Sequence, residues 1–473
     1  MNLNWIRIPN FAVAVAVVLI GLQCGPATTM EPNPESGAVA AIHSETEESP
    51  GLPAGLQKDV EADPRFNELA RYISGQELDG DATLKALTEN GTYRAYQKRI
   101  RTAWARYEEN HLTPMRAWNP TLTGKGCGPQ VFYPFSGPDI THAVLLFPNA
   151  PTYILFGLEP VGPIPGPAGG GESEAKKLGA VYEAVGDVLG RNFFKTIDMA
   201  VEVGQNDYSG VAGLLLFFLG NLDYEVLNGF PVYIAEDGSI QESIADVPAV
   251  KAASKTAKVA SSETQTGVTY FFRKRGGPIQ QVTYFSINLA DGAFGTNVKN
   301  FLRGRREIVT MLKAASYLMY RPGFDGMRST ILGRSNCILT DSSGVPFHYM
   351  NNARWNVELF GVYRRPVPLF KTRFQPDLFL ELKARNPERM SFSYGYNYGP
   401  GLSHLIFAVR DRARNPWFAP EFDDSTSIGE NTVWLAESRQ MVYERKFTAE
   451  AIRLSDSESA ETQHERPSLN KKK

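Results

Sequence analysis

The chain has 473 residues, of which 42% are hydrophobic and 21% charged, so it can bury a large core and is not disordered throughout. Lys and Arg number 49 against 51 Asp and Glu, and the resulting net charge of -2 argues against a protein built to neutralise nucleic-acid phosphates. Three cysteines are too few for a disulfide scaffold or a four-cysteine zinc site.

The N-terminus carries the most specific signal. Arg7 sits in a short polar stretch, and Phe11 to Leu22 reads FAVAVAVVLIGL. That run is shorter than the roughly 20 apolar residues of a membrane-spanning helix, so residues 1–24 read as an export signal. The ending Gly21-Leu22-Gln23-Cys24 resembles a bacterial lipoprotein signal, which would place a diacylglyceryl group on Cys24. Gly21 and Gln23 depart from that pattern. Cleavage near Ala27 and an uncleaved short anchor stay open. Residues 25–63 hold five prolines and many glutamates without an apolar period, and are expected to be a disordered tether.

Residues 64–118 are expected to be helical. Tyr93, Tyr96, Ile100, Trp104 and Tyr107 recur at three- and four-residue spacing and share one face, which suits docking on a core. Strands are expected at VFYPFSG and Thr152–Pro160, with a short helix from Asp139 to Phe147 between them. Helices follow at 173–191 and 208–220, where VAGLLLFFL reads as a buried core helix. A strand pair is expected at 224–236, turning at Asn228-Gly229. The Ala/Ser/Lys/Thr-rich stretch 240–266 reads as a linker or surface excursion.

Val268–Arg273 and Ile279–Leu289 flank Gly276-Gly277-Pro278 as a hairpin. A helix is expected over 297–320. Strands are expected at 336–340, 346–350, 355–363, 392–398, 403–410 and 431–446, and a disordered tail over 455–473. The fold class is α+β: a helical N-terminal segment, then mixed and antiparallel sheets with packed helices. YILFGLEPVG and YFSINLADGA echo one another, which suggests a pseudo-duplicated body with halves at 64–239 and 267–454.

Candidate chemistry is sparse. Ser136, Asp139 and His142 supply the residue types of a nucleophile, an orienting carboxylate and a base, or of a ligand contact, although local turn and cap roles are the commoner reason for such residues beside Gly137-Pro138. Asp341 opens the turn Asp341-Ser342-Ser343-Gly344 at a strand end near His348, and Glu159 is its best partner for two-carboxylate chemistry. Phe392, Tyr394, Tyr396 and Tyr398 alternate, so one strand face would carry four rings for a glycan or peptide, or against the core. The glycine-rich loop 162–171 contains Pro163, Pro165 and Pro167, which lack the N–H groups of a phosphate cradle. No cofactor or metal is expected. Cys127 and Cys337 are either one disulfide or two buried thiols. Arg273-Lys274-Arg275, Arg303/Arg305/Arg306 and Arg364-Arg365 are basic clusters that would face anionic envelope polymers.

The sequence therefore suggests an exported envelope protein, held at the membrane through a lipid anchor, with a binding or scaffolding body. An exported hydrolase acting on envelope glycans or esters, and a glycan- or peptide-binding module, are the alternatives. No nucleic-acid partner is expected.

Overall fold

A computed structural model of the chain describes residues 60–78, 80, 82–119, 127–166, 171–193, 208–243, 266–293, 295–366, 370–396 and 402–414. The expected export signal with Cys24, most of the expected tether, residues 244–265, Tyr398, the strand expected at 431–446 and the expected tail lie outside them.

The helices are α1 (Pro64–Ile73), α2 (Ala82–Thr88), α3 (Gly91–Tyr107), α4 (Thr113–Trp118), α5 (Ile140–Leu146), α6 (Gly171–Arg191), α7 (Val211–Asn221), α8 (Thr296–Arg303), α9 (Asp325–Arg334) and α10 (Pro376–Arg385). The strands are β1 (Gln130–Pro134), β2 (Thr152–Gly157), β3 (Glu225–Ile234), β4 (Ile240–Glu242), β5 (Thr266–Arg273), β6 (Gln280–Ser286), β7 (Ile308–Leu312), β8 (Ser335–Thr340), β9 (Trp355–Gly361) and β10 (His404–Arg410). Among the described residues no helix is long and apolar enough to cross a membrane.

All ten strands form one mixed sheet in the order β4-β3-β5-β6-β2-β1-β7-β8-β10-β9. With its packed helices it is an α+β fold. The five central strands β6, β2, β1, β7 and β8 are parallel, and antiparallel pairs extend the sheet at both sides. The echo between the β2 and β6 segments joins two neighbours in this one sheet, with Leu155 opposite Tyr284. Strands from both expected halves thus interleave in a single sheet.

Side-chain alternation divides the core between two faces. Val131, Tyr133, Tyr153, Leu155, Val309 and Met311 point to one face, where α1, α3, α5, α6 and α7 pack. Phe132, Ile154, Phe156, Ile308 and Leu312 point to the other, beneath α8, α9 and α10. The aromatic face of α3 is buried, as its spacing suggests, and Trp104 meets Phe217 of α7 edge to face at 6.0 Å. Helix α7 is buried along nearly its whole length.

Several local expectations need correction. Asn228-Gly229 is not a turn but lies inside one bulged strand, β3. Gly229 is needed there because the Tyr270 ring packs against its Cα. The region 297–320 is not one helix: α8 ends at Arg303 and β7 begins at Ile308. Phe347–Tyr349 form a short 3-10 helix where a strand is expected over 346–350.

Candidate functional site

The parallel core runs in space as β6-β2-β1-β7-β8, so successive connections move one way from β1 and then the other way to β7. In open sheets of this kind the loops leaving the strands at the reversal part, and ligands bind beside the carboxyl ends there. The polar candidates read from the sequence gather along that edge. Ser136 and Asp139 follow β1, His142 lies in the first turn of α5, Glu159 follows β2, and Asp341 follows β8. Eight described non-glycine residues have positive φ, and Phe135, Asn192, Ala314, Ser316 and Tyr317 belong to the loops and contacts of this edge. Backbone held in that region is costly and persists only where the surroundings impose it.

At the reversal itself lies a buried polar network. Asp139 is the N-cap of α5, and its Oδ1 lies 2.6 Å from Nδ1 of His142. Lys313, the residue after β7, is ion-paired with Oδ2 of Asp139. Its ammonium also donates to His142 Nδ1 at 2.7 Å and to the Asn192 carbonyl at 3.0 Å, so three acceptors meet its three N–H donors. The Tyr133 hydroxyl donates to Asp139 Oδ2 at 3.0 Å. Asn192 donates through Nδ2 to the Ser393 carbonyl, which leaves its Oδ1 as acceptor for Tyr107 at 3.0 Å and for His142 Nε2 at 2.6 Å. Asn192 Oδ1 is an acceptor, so His142 carries a proton on Nε2; in the neutral imidazole Nδ1 then accepts from Lys313, and the approach of Asp139 Oδ1 to that same nitrogen is a contact bridged by the shared ammonium rather than a second hydrogen bond.

The charges follow from this geometry. Burial alone would raise the Asp139 carboxyl, but His142 and Lys313 outweigh it and hold the group well below the usual carboxylate range. Burial pushes His142 down, with Asp139 opposing and Lys313 assisting. It also lowers Lys313, against the pull of Asp139. The resulting state is a carboxylate–ammonium pair beside a neutral imidazole.

The triad reading of Ser136, Asp139 and His142 is corrected. Asp139 and His142 do meet, but the Ser136 hydroxyl donates to main-chain oxygens of Gly137 at 2.9 Å and Phe156 at 3.2 Å. The far imidazole nitrogen faces Asn192 and Tyr107 instead of a nucleophile. Lys313, Asn192, Tyr107 and Tyr133 were not foreseen as partners. A lysine directly after the apolar run Ile308–Leu312 was the available signal for the first of them.

Asp341 is fully buried. Ser343 donates to its Oδ1 through N at 3.1 Å and through Oγ at 2.5 Å. Its Oδ2 lies against the Cα of Gly395, which has a φ of 74°. Burial raises the carboxyl to about 6, with the Ser343 hydrogen bonds opposing. The imidazole at this turn is His404, whose Nε2 accepts from Ser342 N at 2.9 Å, and not His348, whose ring lies tilted against that of Tyr349.

Glu159 is 4% exposed. Its carboxylate folds back toward Gly157 and Gly137, and the Tyr284 hydroxyl donates to its main-chain oxygen at 2.7 Å. Leu158 beside it is 59% exposed. Strand β2 lies three places from β8, so the ends that carry Glu159 and Asp341 are about 14 Å apart at about 4.8 Å per strand. That spacing is wider than the two-carboxylate geometry of glycosidases, and it removes their pairing.

The aromatic ladder is corrected as well. Residues 391–396 form no strand, because Gly395 turns the backbone. Tyr394 is buried and donates to the Leu312 carbonyl at 3.0 Å, so it presents no face to a ligand. Tyr396 is half-buried, bonded to Ser316 at 2.8 Å and packed edge to face with Phe193. Cys127 and Cys337 form a disulfide with Cα atoms 5.5 Å apart.

No protein-family model matches this chain, and neither does any curated protein or solved structure.

Proposed function

We propose that the chain is an exported envelope protein that binds a sugar ring with vicinal hydroxyls at the carboxyl edge of its sheet. The observation that carries this reading is the position of Glu159. It closes the second strand of the parallel core, roughly 20 residues beyond the glycine turn after β1, as the ribose-binding carboxylate does in dinucleotide-binding sheets. The argument is one of fold-level placement and of a carboxylate's capacity to accept several hydroxyls. Only the rim of Glu159 is reachable, so the ligand approaches over exposed Leu158, whose apolar side chain suits the face of a ring. Export rests on the signal over residues 1–24, and attachment to the membrane on lipidation of Cys24.

The test is calorimetry of the purified chain against monosaccharides, oligosaccharides and nucleosides. One class should bind, and Glu159→Gln should weaken it at least tenfold with an unchanged melting curve. Equal binding by wild type and variant rejects the site. Export and anchoring are tested separately, by fractionation and by the mass of the mature N-terminus.

A second reading, an exported hydrolase, keeps one supporting observation. A buried carboxyl raised to about 6, such as Asp341, is suited to general-acid work. Turnover of ester or glycoside substrates that disappears in Asp341→Asn would favour it.

A further inference from the structure

The parallel strands come in chain order as β1, β2, β6, β7 and β8, and they lie in space third-second-first-fourth-fifth. Dinucleotide-binding sheets share that order and complete it with a sixth parallel strand, which gives two equal halves, each able to seat one nucleotide unit. In this sheet the sixth place belongs to β10, which runs antiparallel to both β8 and β9. Only the half made of β1, β2 and β6 therefore keeps the all-parallel arrangement that seats such a unit.

That half is unsuited to phosphate. Phosphates in such sheets are held by free N–H groups of the turn after the first strand and of the helix that follows. In this chain those donors are used internally. Ser136 N donates to the Phe156 carbonyl at 2.8 Å, Asp139 N to the Ser136 carbonyl at 3.3 Å and Ile140 N to the Pro138 carbonyl at 2.7 Å. His142 N donates at 3.4 Å to Oδ1 of Asp139, the N-cap of α5, and Pro138 has no N–H to offer. The turn also lies between two carboxylates. Asp139 closes it, and the Glu159 carboxylate comes within 3.5 Å of where a Cβ on Gly137 would stand. A Cβ on Gly157 would overlap Glu159 Oε2, so the two glycines make the room in which this carboxylate reaches the turn.

We infer that the ligand at Glu159 is a single ribonucleoside without a 5′-phosphate, an inference that rests on the role proposed for that residue. The carboxylate accepts the 2′- and 3′-hydroxyls. Exposed Leu158 and Pro160 flank Glu159 in the chain and offer apolar surface to the base. With the ribose so placed, the 5′ carbon is directed to the turn after β1, as in dinucleotide-binding sheets. A phosphate there would meet donors already engaged and two carboxylates of its own sign, so hydrogen bonding and charge both select against nucleotides.

The test is calorimetry of the full chain with adenosine, guanosine, cytidine and uridine, each beside its 5′-monophosphate and its 2′-deoxy form. At least one ribonucleoside should bind. Its 5′-monophosphate should bind about tenfold more weakly or worse. Loss of the 2′-hydroxyl, and separately Glu159→Gln, should each weaken the ribonucleoside by about tenfold or more. The deoxy comparison uses the wild-type chain, so a folding defect cannot imitate it. A monophosphate that binds as tightly as its nucleoside overturns the inference, and so does binding of monosaccharides or oligosaccharides without any nucleoside. In either case the role proposed for Glu159 stands if Glu159→Gln still weakens the ligand. Binding that is unchanged both in Glu159→Gln and with the deoxy form, or no binding of nucleosides and sugars alike, overturns the inference and that role together.

Discussion

Lys313 donates to Nδ1 of His142 at 2.7 Å, across 171 residues of chain, at the place where the parallel strands reverse their order. The two residues arrive there on separate strand ends, His142 after β1 and Lys313 after β7. Asp139 completes the group as the N-cap of α5. The network joins the two sides of the doubly wound core, and the Lys313 ammonium sits between two acceptors, Asp139 and His142 Nδ1, that would otherwise face each other. A buried network of this kind contributes specificity of packing, and it is sensitive to loss of any one charge.

Removing Lys313 tests that view. Lys313→Met leaves the Asp139 carboxylate buried beside Tyr133 without its cation, and should cost about 3–5 kcal/mol. Asp139→Asn/Lys313→Met should recover much of that loss, because it removes both charges. Urea unfolding of the two single variants and the double variant gives the coupling energy. A single Lys313→Met variant within about 1 kcal/mol of wild type would show that the pair does not hold the reversal together.

The sequence made some of this visible and hid the rest for physical reasons. The buried face of α3 and the β5–β6 hairpin follow local rules of period and turn, so they were legible. Asp139 and His142 were legible as a pair because three-residue spacing brings them together at a helix start. Strand β7 was not legible. It is a five-residue strand buried on both faces, so it lacks alternation, and the apolar residues around it mimic a helix. Missing β7 hid Lys313, and with it the centre of the network. The alternation from Phe392 to Tyr398 misled in the opposite direction. Period two implies a strand only if the backbone stays extended, and Gly395 breaks it.

Asp341 should give the protein a measurable pH signature. Its folded carboxyl lies at about 6, above the ordinary aspartate value of 3.8, so the folded state holds a proton that the unfolded state releases between those values. By linkage, this group's contribution falls as pH rises from about 4 to about 6 and is level above that. That difference corresponds to about 3 kcal/mol. Buried His404, lowered to about 3, acts in the opposite sense: its contribution is complete above the ordinary histidine value and is lost as pH falls toward 3. Comparing Asp341→Asn with wild type isolates the first effect. The variant should gain about 3 kcal/mol relative to wild type between pH 4 and pH 7, measured by denaturant titration at each pH. A difference that stays constant with pH would exclude the raised carboxyl.

Gly395 and Gly276 share nearly the same positive φ, 74° and 73°, but have different surroundings. A Cβ at Gly276 meets nothing within 4 Å, whereas one at Gly395 would overlap the Asp341 carboxylate. Gly276→Ala should therefore cost only the backbone penalty, about 1 kcal/mol. Gly395→Ala should cost at least about 2 kcal/mol more, since the carboxylate has to move within a packed core. Thermal melts of the two variants suffice. Equal losses would mean that the loop from 391 to 396 does not press on Asp341 in solution.

The disulfide connects stability with compartment. Cys127 precedes β1 and Cys337 lies in β8, and their bond closes a loop across 210 residues. Tying so long a segment restricts the unfolded chain, and loss of such a bond typically costs about 2–5 kcal/mol. Cys127→Ser/Cys337→Ser should shift the urea midpoint downward, and a reducing agent should reproduce the shift in wild type but not in the variant. An exported protein meets an oxidising environment, where the bond forms and persists, whereas a cytosolic one keeps its thiols reduced. Alkylation under denaturing conditions, followed by mass spectrometry, should thus find both cysteines blocked in protein from the cell envelope. Finding both thiols free in native protein would count against export and against a stabilising role for the bond together. Blocked cysteines with an unchanged urea midpoint after reduction would count against the stabilising role alone.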